Sequence, residues 1–269
     1  MNKKDRQKAQ ILKVSVDSTH EDELLNLVRE WIREFRSGKG EKRLIFTPNP
    51  EMLVDAWSDR GFQDVLNSAD VNIPDGIGLK VANYWLRLTG VIKSDQTISS
   101  RLTGADLSLR LIELASMEGW RVFLLGGKPG VAERAKEEME KLVGESAEAG
   151  FRIESSAGPE FGVSGGEWDS QSRVEVKRIA KFKPDILLVA FGHRKQEQWL
   201  VQNRDALEFG VGMGVGGTLD FMAGSVSRAP RWVRRMGLEW LFRLLREPSR
   251  WRRIWKATVI FPWLVLTKR

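Results

Sequence analysis

Short apolar runs alternate with longer amphipathic stretches along almost the whole chain. Ile11 to Val16 alternates apolar and polar residues as a first strand does, and Glu21 to Phe35 carries a 3.6-residue apolar repeat that predicts a helix. Leu44-Ile45-Phe46 is a buried-strand run that ends in Thr47-Pro48-Asn49-Pro50, after which Glu51 to Trp57 reads as a helix with Pro50 near its start. Asn67 to Pro74 is read as the next strand and Gly76 to Leu88 as its helix, followed by a polar connection over 90–100 that could lie as a mobile loop over a site. Further on, helices are predicted over 107–117, 131–143, 171–182 and 195–206, and strands over 120–125, 151–153, 185–191 and 211–215. The stretch from Ser155 to Trp168 is expected to be loop. Strands alternating with helices predict an α/β fold with a mostly parallel sheet covered on both faces.

The pattern changes at Ser227-Arg228. From there to Arg269 twelve Lys/Arg face only two acids, Glu239 and Glu247, although the net charge of the whole chain is +7. Five of the eleven tryptophans lie in this tail. The chain is therefore divided into an α/β body over 1–227 and a basic, Trp-rich appendage over 228–269, where an anionic partner is expected. Arg243, Arg246, Arg250 and Arg253 fall within about 80° on a helical wheel, opposite Leu241, Leu244, Leu245, Trp251 and Trp255, with Pro248 dividing two helices. A basic helix with Trp and Leu on its other face is built to lie in a membrane surface; an arginine-rich helix docked on the body is the plainer reading. Ile254 to Leu266 is apolar but has only 13 residues, including Lys256 and Pro262, short of the roughly 20 that a spanning helix needs. It is expected at the interface, with Trp255 and Trp263 at headgroup depth, while Trp31, Trp57 and Trp120 are expected in the core.

Composition removes several chemistries. There is no cysteine, which excludes disulfides and thiolate metal sites, and two histidines, His20 and His193, are too few for a His-based metal cluster. The charged N-terminus lacks the apolar core of a signal peptide, so the protein is expected in the cytoplasm.

Candidate chemistry gathers at strand ends, where ligands bind in open α/β sheets. Asp75, in Ile73-Pro74-Asp75-Gly76-Ile77-Gly78, is a candidate general base; the alternative is that it caps the helix that follows. Gly126-Gly127-x-x-Gly130 and the later Gly216-Gly217 stand between strand and helix, where backbone N–H groups can approach a diphosphate, or where a tight turn is simply needed. The spacing is neither Gly-x-Gly-x-x-Gly nor a P-loop. Thr47, Asn49 and the polar set from His193 to Glu197 also follow strands, as substrate contacts or as helix caps. No Asp-x-Asp is present to hold a divalent metal, so leaving-group charge would fall to arginines and backbone amides. An NAD-type dehydrogenase is disfavoured by the glycine spacing and by Leu88 lying four residues after the single tyrosine, Tyr84. A nucleic-acid-binding module using the basic tail is the rival from another class.

Taken in order, these pieces resemble a bacterial glycosyltransferase family, WecG/TagA/CpsF. The resemblance rests on Thr47-Pro48-Asn49, Pro74-Asp75-Gly76-x-Gly78, Arg101-x-Thr103-Gly104-x-Asp106, Leu125-Gly126-Gly127-x-Pro129-Gly130, Gly158-Pro159-Glu160-Phe161-Gly162, Lys195-Gln196-Glu197-x-Trp199, Gly214-Val215-Gly216-Gly217-Thr218, Arg228-Ala229-Pro230-x-Trp232 and Arg246-Glu247-Pro248. It implies one Rossmann-like domain with a helical appendage, moving a sugar from a UDP-sugar to a polyprenyl-diphosphate-linked acceptor sugar. It further implies inversion at the anomeric centre, no metal and no cofactor, on the inner face of the plasma membrane. By resemblance Asp75 is the base, and Thr47, Asn49 and Gln196 are active-site residues. Arg101, Thr103 and the glycine loops would serve the substrates, and Arg243, Arg250 and Arg253 would meet the acceptor diphosphate. The tail's partner is then an anionic membrane rather than nucleic acid, and a homo-oligomer of the body is compatible with the reading. One departure stands out: Gly192-His193-Arg194-Lys195-Gln196-Glu197 replaces the usual Gly-x-Pro-Lys-Gln-Glu.

Overall fold

The computed structural model describes residues 7–93, 97–98, 102–159 and 166–268, without the side chains of 166–169 and 231. In chain order the elements are β1 (Lys8–Ile11), β2 (Val14–Asp17), α1 (Glu21–Arg36), β3 (Arg43–Phe46), α2 (Pro50–Ser58), α3 (Arg60–Asn67), β4 (Val71–Asn72) and α4 (Ile77–Leu88). Then follow α5 (Gly104–Glu118), β5 (Arg121–Gly126), α6 (Val131–Val143), β6 (Arg152–Ser156), α7 (Gly166–Phe182), β7 (Ile186–Ala190), α8 (Lys195–Gln202), β8 (Val211–Gly214) and α9 (Thr218–Met222). The tail forms α10 (Arg231–Arg235), α11 (Glu239–Arg246), a 3-10 turn (Pro248–Arg250), α12 (Trp251–Trp255), a π-helical turn (Lys256–Ile260) and α13 (Phe261–Thr267). A six-stranded sheet has the order β4–β3–β8–β7–β5–β6, with β3–β8, β8–β7, β7–β5 and β5–β6 all parallel. This is the α/β architecture that the alternation predicts, with a helical segment at the C-terminus.

The chain forms two compact units. One holds Asp22–Ile45 and Gly104–Val226; the other holds Met1–Glu21, Phe46–Thr103 and Ser227–Arg269. In the first, β5 and β7 are buried on both faces, as central parallel strands must be, and α5, α6 and α8 pack on the strands. The start of β7 is anchored there by Asp185, which accepts Arg36 Nε and Nη2 at 2.9 and 2.8 Å and the Arg121 backbone N–H at 2.7 Å.

In the second unit three local predictions are corrected. Ile11 to Val16 is not one strand but the turn of an antiparallel hairpin: Leu12 and Lys13 both take positive φ, 47° and 67°, a two-residue turn without the usual glycine or asparagine. Asn67 ends a helix instead of beginning a strand; α3 starts behind Asp59, whose side chain accepts from Phe62 N–H, and β4 is two residues long. Trp57 is half-buried, with the Lys13 ammonium 4.8 Å from its ring centroid, whereas Trp31 and Trp120 are in the core. In the first unit the predicted loop from Ser155 to Trp168 begins inside β6 and ends inside α7; 160–165 lie outside the described residues.

The tail docks within its own unit. Phe261, Leu264 and Val265 are buried, and α13 packs on α2 and α4. Each fully buried apolar side chain is worth about 1.5–3 kcal/mol. Two ion pairs join α2 to α12 and to the π-helical turn, Arg253 Nε to Glu51 at 2.8 Å and Lys256 Nζ to Asp55 at 2.6 Å. Exposed pairs contribute roughly 0.2–1 kcal/mol, so the apolar contacts hold the tail and the pairs fix its register. Pro262 has no N–H to return to the carbonyl four residues earlier, and the turn before it widens into π-helix. The stretch 254–266 therefore divides its apolar residues. One set is buried in the protein, while Trp255, Val259, Trp263 and Leu266 stay exposed, as does Trp251 just before it.

Candidate active site

In the unit that carries the tail, the ladder beyond β3 and β4 brings two predicted motifs together. Ile73 N–H donates to Phe46 O at 2.8 Å and Asp75 N–H to Pro48 O at 2.9 Å, so Thr47-Pro48-Asn49 and Pro74-Asp75 run side by side. Gly76 then turns the chain at φ 89°, ψ 158°, a conformation open essentially to glycine alone. A Cβ on Gly78 would stand 2.7 Å from Pro50 Cγ, so α4 can close on α2 only with glycine there. The two motifs are thus halves of one junction.

This geometry separates the readings of its polar residues. The N-cap of α4 is Gly76, which has no side chain, and Asp75 stands one residue before it. Asn49 does cap: its Oδ1 accepts from Met52 N–H at 3.0 Å. Thr47 is half-buried beside the junction, and Thr103 directly precedes α5. Arg101 lies outside the described residues, as do 94–96 and 99–100 of the predicted loop; of the rest, Ile98 N–H is held by the buried Asn83 Oδ1 at 3.0 Å.

Asp75 is within electrostatic reach of Arg243. Burial lowers the Arg243 pKa; Glu239, Asp75 and Glu247 oppose that effect, and the charge of Arg250 adds to it. An arginine stays a cation under such a shift, but here a desolvated one with a second guanidinium nearby. The other predicted arginines pair with acids. Arg250 Nε donates to Glu247 Oε2 at 2.7 Å and Arg253 Nε to both Glu51 oxygens at 3.0 and 2.8 Å; Arg243 lies 3.8 Å from Glu239. Glu51 and Asp55 are the residues that sequence reasoning missed here; their i, i+4 spacing on a largely buried helix was the available signal.

In the other unit the parallel strands β5, β7 and β8 end on one edge, which gathers Gly126-Gly127, the 191–197 loop and Gly216-Gly217. Gly127 N–H donates to Ala190 O at 3.0 Å, and Gly130, at positive φ, is the N-cap of α6. Gln196 is buried, and both ends of its amide are engaged: Nε2 donates to Glu197 Oε1 at 2.7 Å, and Oε1 accepts from Gly216 N–H at 2.9 Å. A Cβ on Gly214 would come within 2.8 Å of Gln196 Nε2 and 2.9 Å of Glu197 Oε1, which explains the glycine. Gln196 thereby sets the glycine loop after β8. Glu197, quoted only as part of a motif, is the residue that sets Gln196.

Glu197 is buried, and burial raises its pKa above the ordinary 4.5; the Gln196 amide, the backbone N–H groups of Glu197 and Arg194, and His193 pull the other way. A folded-state value above the unfolded one gives stability that is complete below the unfolded value and is lost as pH rises through the folded value. Glu197→Gln keeps an acceptor for Gln196 without a titrating group. Its melting temperature is expected to gain on the parent's as pH rises from 4.5, which scanning calorimetry from pH 4.5 to 8 would measure.

Arg194, where the resemblance implies a proline, takes φ 68°, ψ −46°. A proline ring holds φ near −65°, so this loop is built in a way a proline would forbid. Arg194→Pro is expected to destabilise the fold by about 3 kcal/mol, read from urea unfolding midpoints.

Comparisons agree with the motifs. The profile of the glycosyl transferase WecG/TagA/CpsF family matches residues 9–269. The chain is 33% identical over 213 residues (78% of this chain, 74% of the relative) to an N-acetylglucosaminyldiphosphoundecaprenol N-acetyl-beta-D-mannosaminyltransferase of Bacillus subtilis (strain 168). It is 31% identical over 248 residues (92% of this chain, 87% of the relative) to the protein of that name from Staphylococcus aureus (strain MW2). A family match over nearly the whole length, together with these relatives, places this chain in the WecG/TagA/CpsF family of glycosyltransferases.

Proposed function

We propose that the enzyme transfers N-acetylmannosamine, or a closely related hexose, from its UDP derivative to N-acetylglucosaminyl-diphosphoundecaprenol. The product feeds a cell-surface polysaccharide. The observation that carries the reading is the junction that sets Pro74-Asp75 beside Thr47-Pro48-Asn49, with Asp75 within electrostatic reach of Arg243. Asp75 takes the proton of an acceptor hydroxyl as that oxygen bonds to the anomeric carbon. The carbon–oxygen bond to UDP breaks on the opposite side, UDP leaves with the electron pair, and the centre inverts. Arg243, with Arg250 and Arg253 of the same tail, meets the acceptor diphosphate.

The tail works at the membrane. Among the described residues no helix is long and apolar enough to cross a bilayer. Exposed Trp251, Trp255 and Trp263 beside a basic segment suit a peripheral position on the inner leaflet. The test is transfer from UDP-N-acetylmannosamine to a short-chain N-acetylglucosaminyl-diphospholipid, followed by mass spectrometry with EDTA present. The expected product is the disaccharide lipid at an unchanged rate in EDTA. No product with any UDP-hexose overturns the reading, and loss of turnover in EDTA overturns its metal-free step.

A further inference from the structure

A second apolar surface lies on α4, outside the tail. Ile77, Val81, Tyr84, Trp85 and Leu88 are all exposed, Val81 and Leu88 at 61% each. At 100° per residue the five fall within about 100° of one another. The opposite face, with Leu79, Ala82, Asn83 and Leu86, is buried. α4 is thus apolar on both sides, and five large apolar side chains in one stripe exceed the scattered exposure normal for a protein surface.

Charge identifies the occupant. Lys80 and Arg87 border the stripe on one side, and residues 76–93 contain no acid. Long cationic side chains flanking an apolar stripe place their ammonium and guanidinium groups at phosphate level while the stripe enters the acyl boundary. The surface also continues. Ile77 Cδ1 would be 2.8 Å from a Cβ placed on Gly237, so the stripe begins against the turn between α10 and α11, where Trp232, Met236 and Trp240 are themselves exposed. At 12 residues and 1.5 Å each, α4 is about 18 Å long, fit to lie in the interface and unable to cross it.

We propose that α4 is a second membrane-contacting element, inserting its Ile77–Leu88 stripe into an anionic bilayer interface next to the tail. The inference rests on the peripheral membrane reading above. Because α4 begins two residues after Asp75, the contact sets the base at headgroup depth, where the sugar of a lipid-linked diphosphate lies.

The test uses the full chain and vesicles of phosphatidylglycerol and phosphatidylcholine in equal parts. A Val81→Glu/Leu88→Glu variant, at two exposed positions, is expected to lose vesicle partitioning on the order of tenfold or more, with its circular dichroism unchanged. A Trp251→Ser/Trp255→Ser/Trp263→Ser variant probes the tail separately. Because the chain lacks cysteine, Leu88→Cys carries a single environment-sensitive nitrobenzoxadiazole label, whose emission is expected to shift to the blue on adding vesicles. If the tail variant detaches while the α4 variant binds as the parent does, the α4 proposal fails and the membrane reading stands. If the parent itself never partitions, both fail. A label that does not shift, or a double variant that turns a parent dimer into a monomer in sedimentation equilibrium without changing partitioning, overturns α4 as a lipid surface.

Discussion

Asp75→Asn is expected to lower transfer about a thousandfold, within the 10²–10⁴ that a positioned general base contributes. Asparagine has the size of aspartate but cannot accept a full proton. The backbone of residue 75 is held by Pro48 O and the turn by Gly76, and neither contact uses the carboxylate. Calorimetric UDP binding should therefore match the parent while product formation collapses. A variant that turns over at the parent rate would remove Asp75 from the mechanism.

The second large effect belongs to Arg243. Arg243→Ala is expected to lower kcat/KM for the lipid acceptor by about a hundredfold, the scale of losing one preorganised charge at a developing or bound anion. KM for the UDP-sugar should hold. Lysine at 243 should recover only part of the loss, since an ammonium cannot present two parallel donors to a phosphate. The graded expectation is the sharper one. Arg253 is bound to both oxygens of the buried Glu51 and Arg250 to Glu247. Alanine at 243, the arginine within electrostatic reach of Asp75, should harm acceptor kinetics most. Alanine at 253 should act mainly on stability, by leaving the Glu51 carboxylate buried without its partner. Steady-state kinetics and melting curves on the three variants check the order, and equal kinetic losses at all three positions would contradict it.

Much of this was legible in the chain, for physical reasons. The central strands Arg121–Gly126 and Ile186–Ala190 are buried on both faces, so their apolar runs are unmistakable. The Pro-Asp-Gly and Thr-Pro-Asn-Pro motifs stood out because each proline and glycine answers a backbone demand. What stayed hidden depends on tertiary contacts. Leu12-Lys13 turns without glycine or asparagine, so no local signal marks the hairpin. α3 is eight residues long and contains Gly61, too little periodicity to register. In α4 the sequence shows apolar residues on both sides and says nothing of which side the fold covers. In the tail the same ambiguity placed the whole of 254–266 at the lipid, whereas Phe261, Leu264 and Val265 are turned inward. The pairing of Gln196 with Gly216 joins residues 20 apart through a loop geometry no spacing reveals.

The two ion pairs between α2 and the tail give the enzyme a double sensitivity to ionic strength. Arg253 and Lys256 are both partly open to water, and the Debye length shrinks from about 10 Å at 0.1 M to about 3 Å at 1 M. Added electrolyte therefore weakens the pairs that set the register of the appendage at the same time as, on the proposed membrane, it weakens the pull of acidic lipids on the same segment. Catalysis on a bilayer should consequently fall more steeply with electrolyte than partitioning alone predicts, and more steeply than on a detergent-dispersed acceptor.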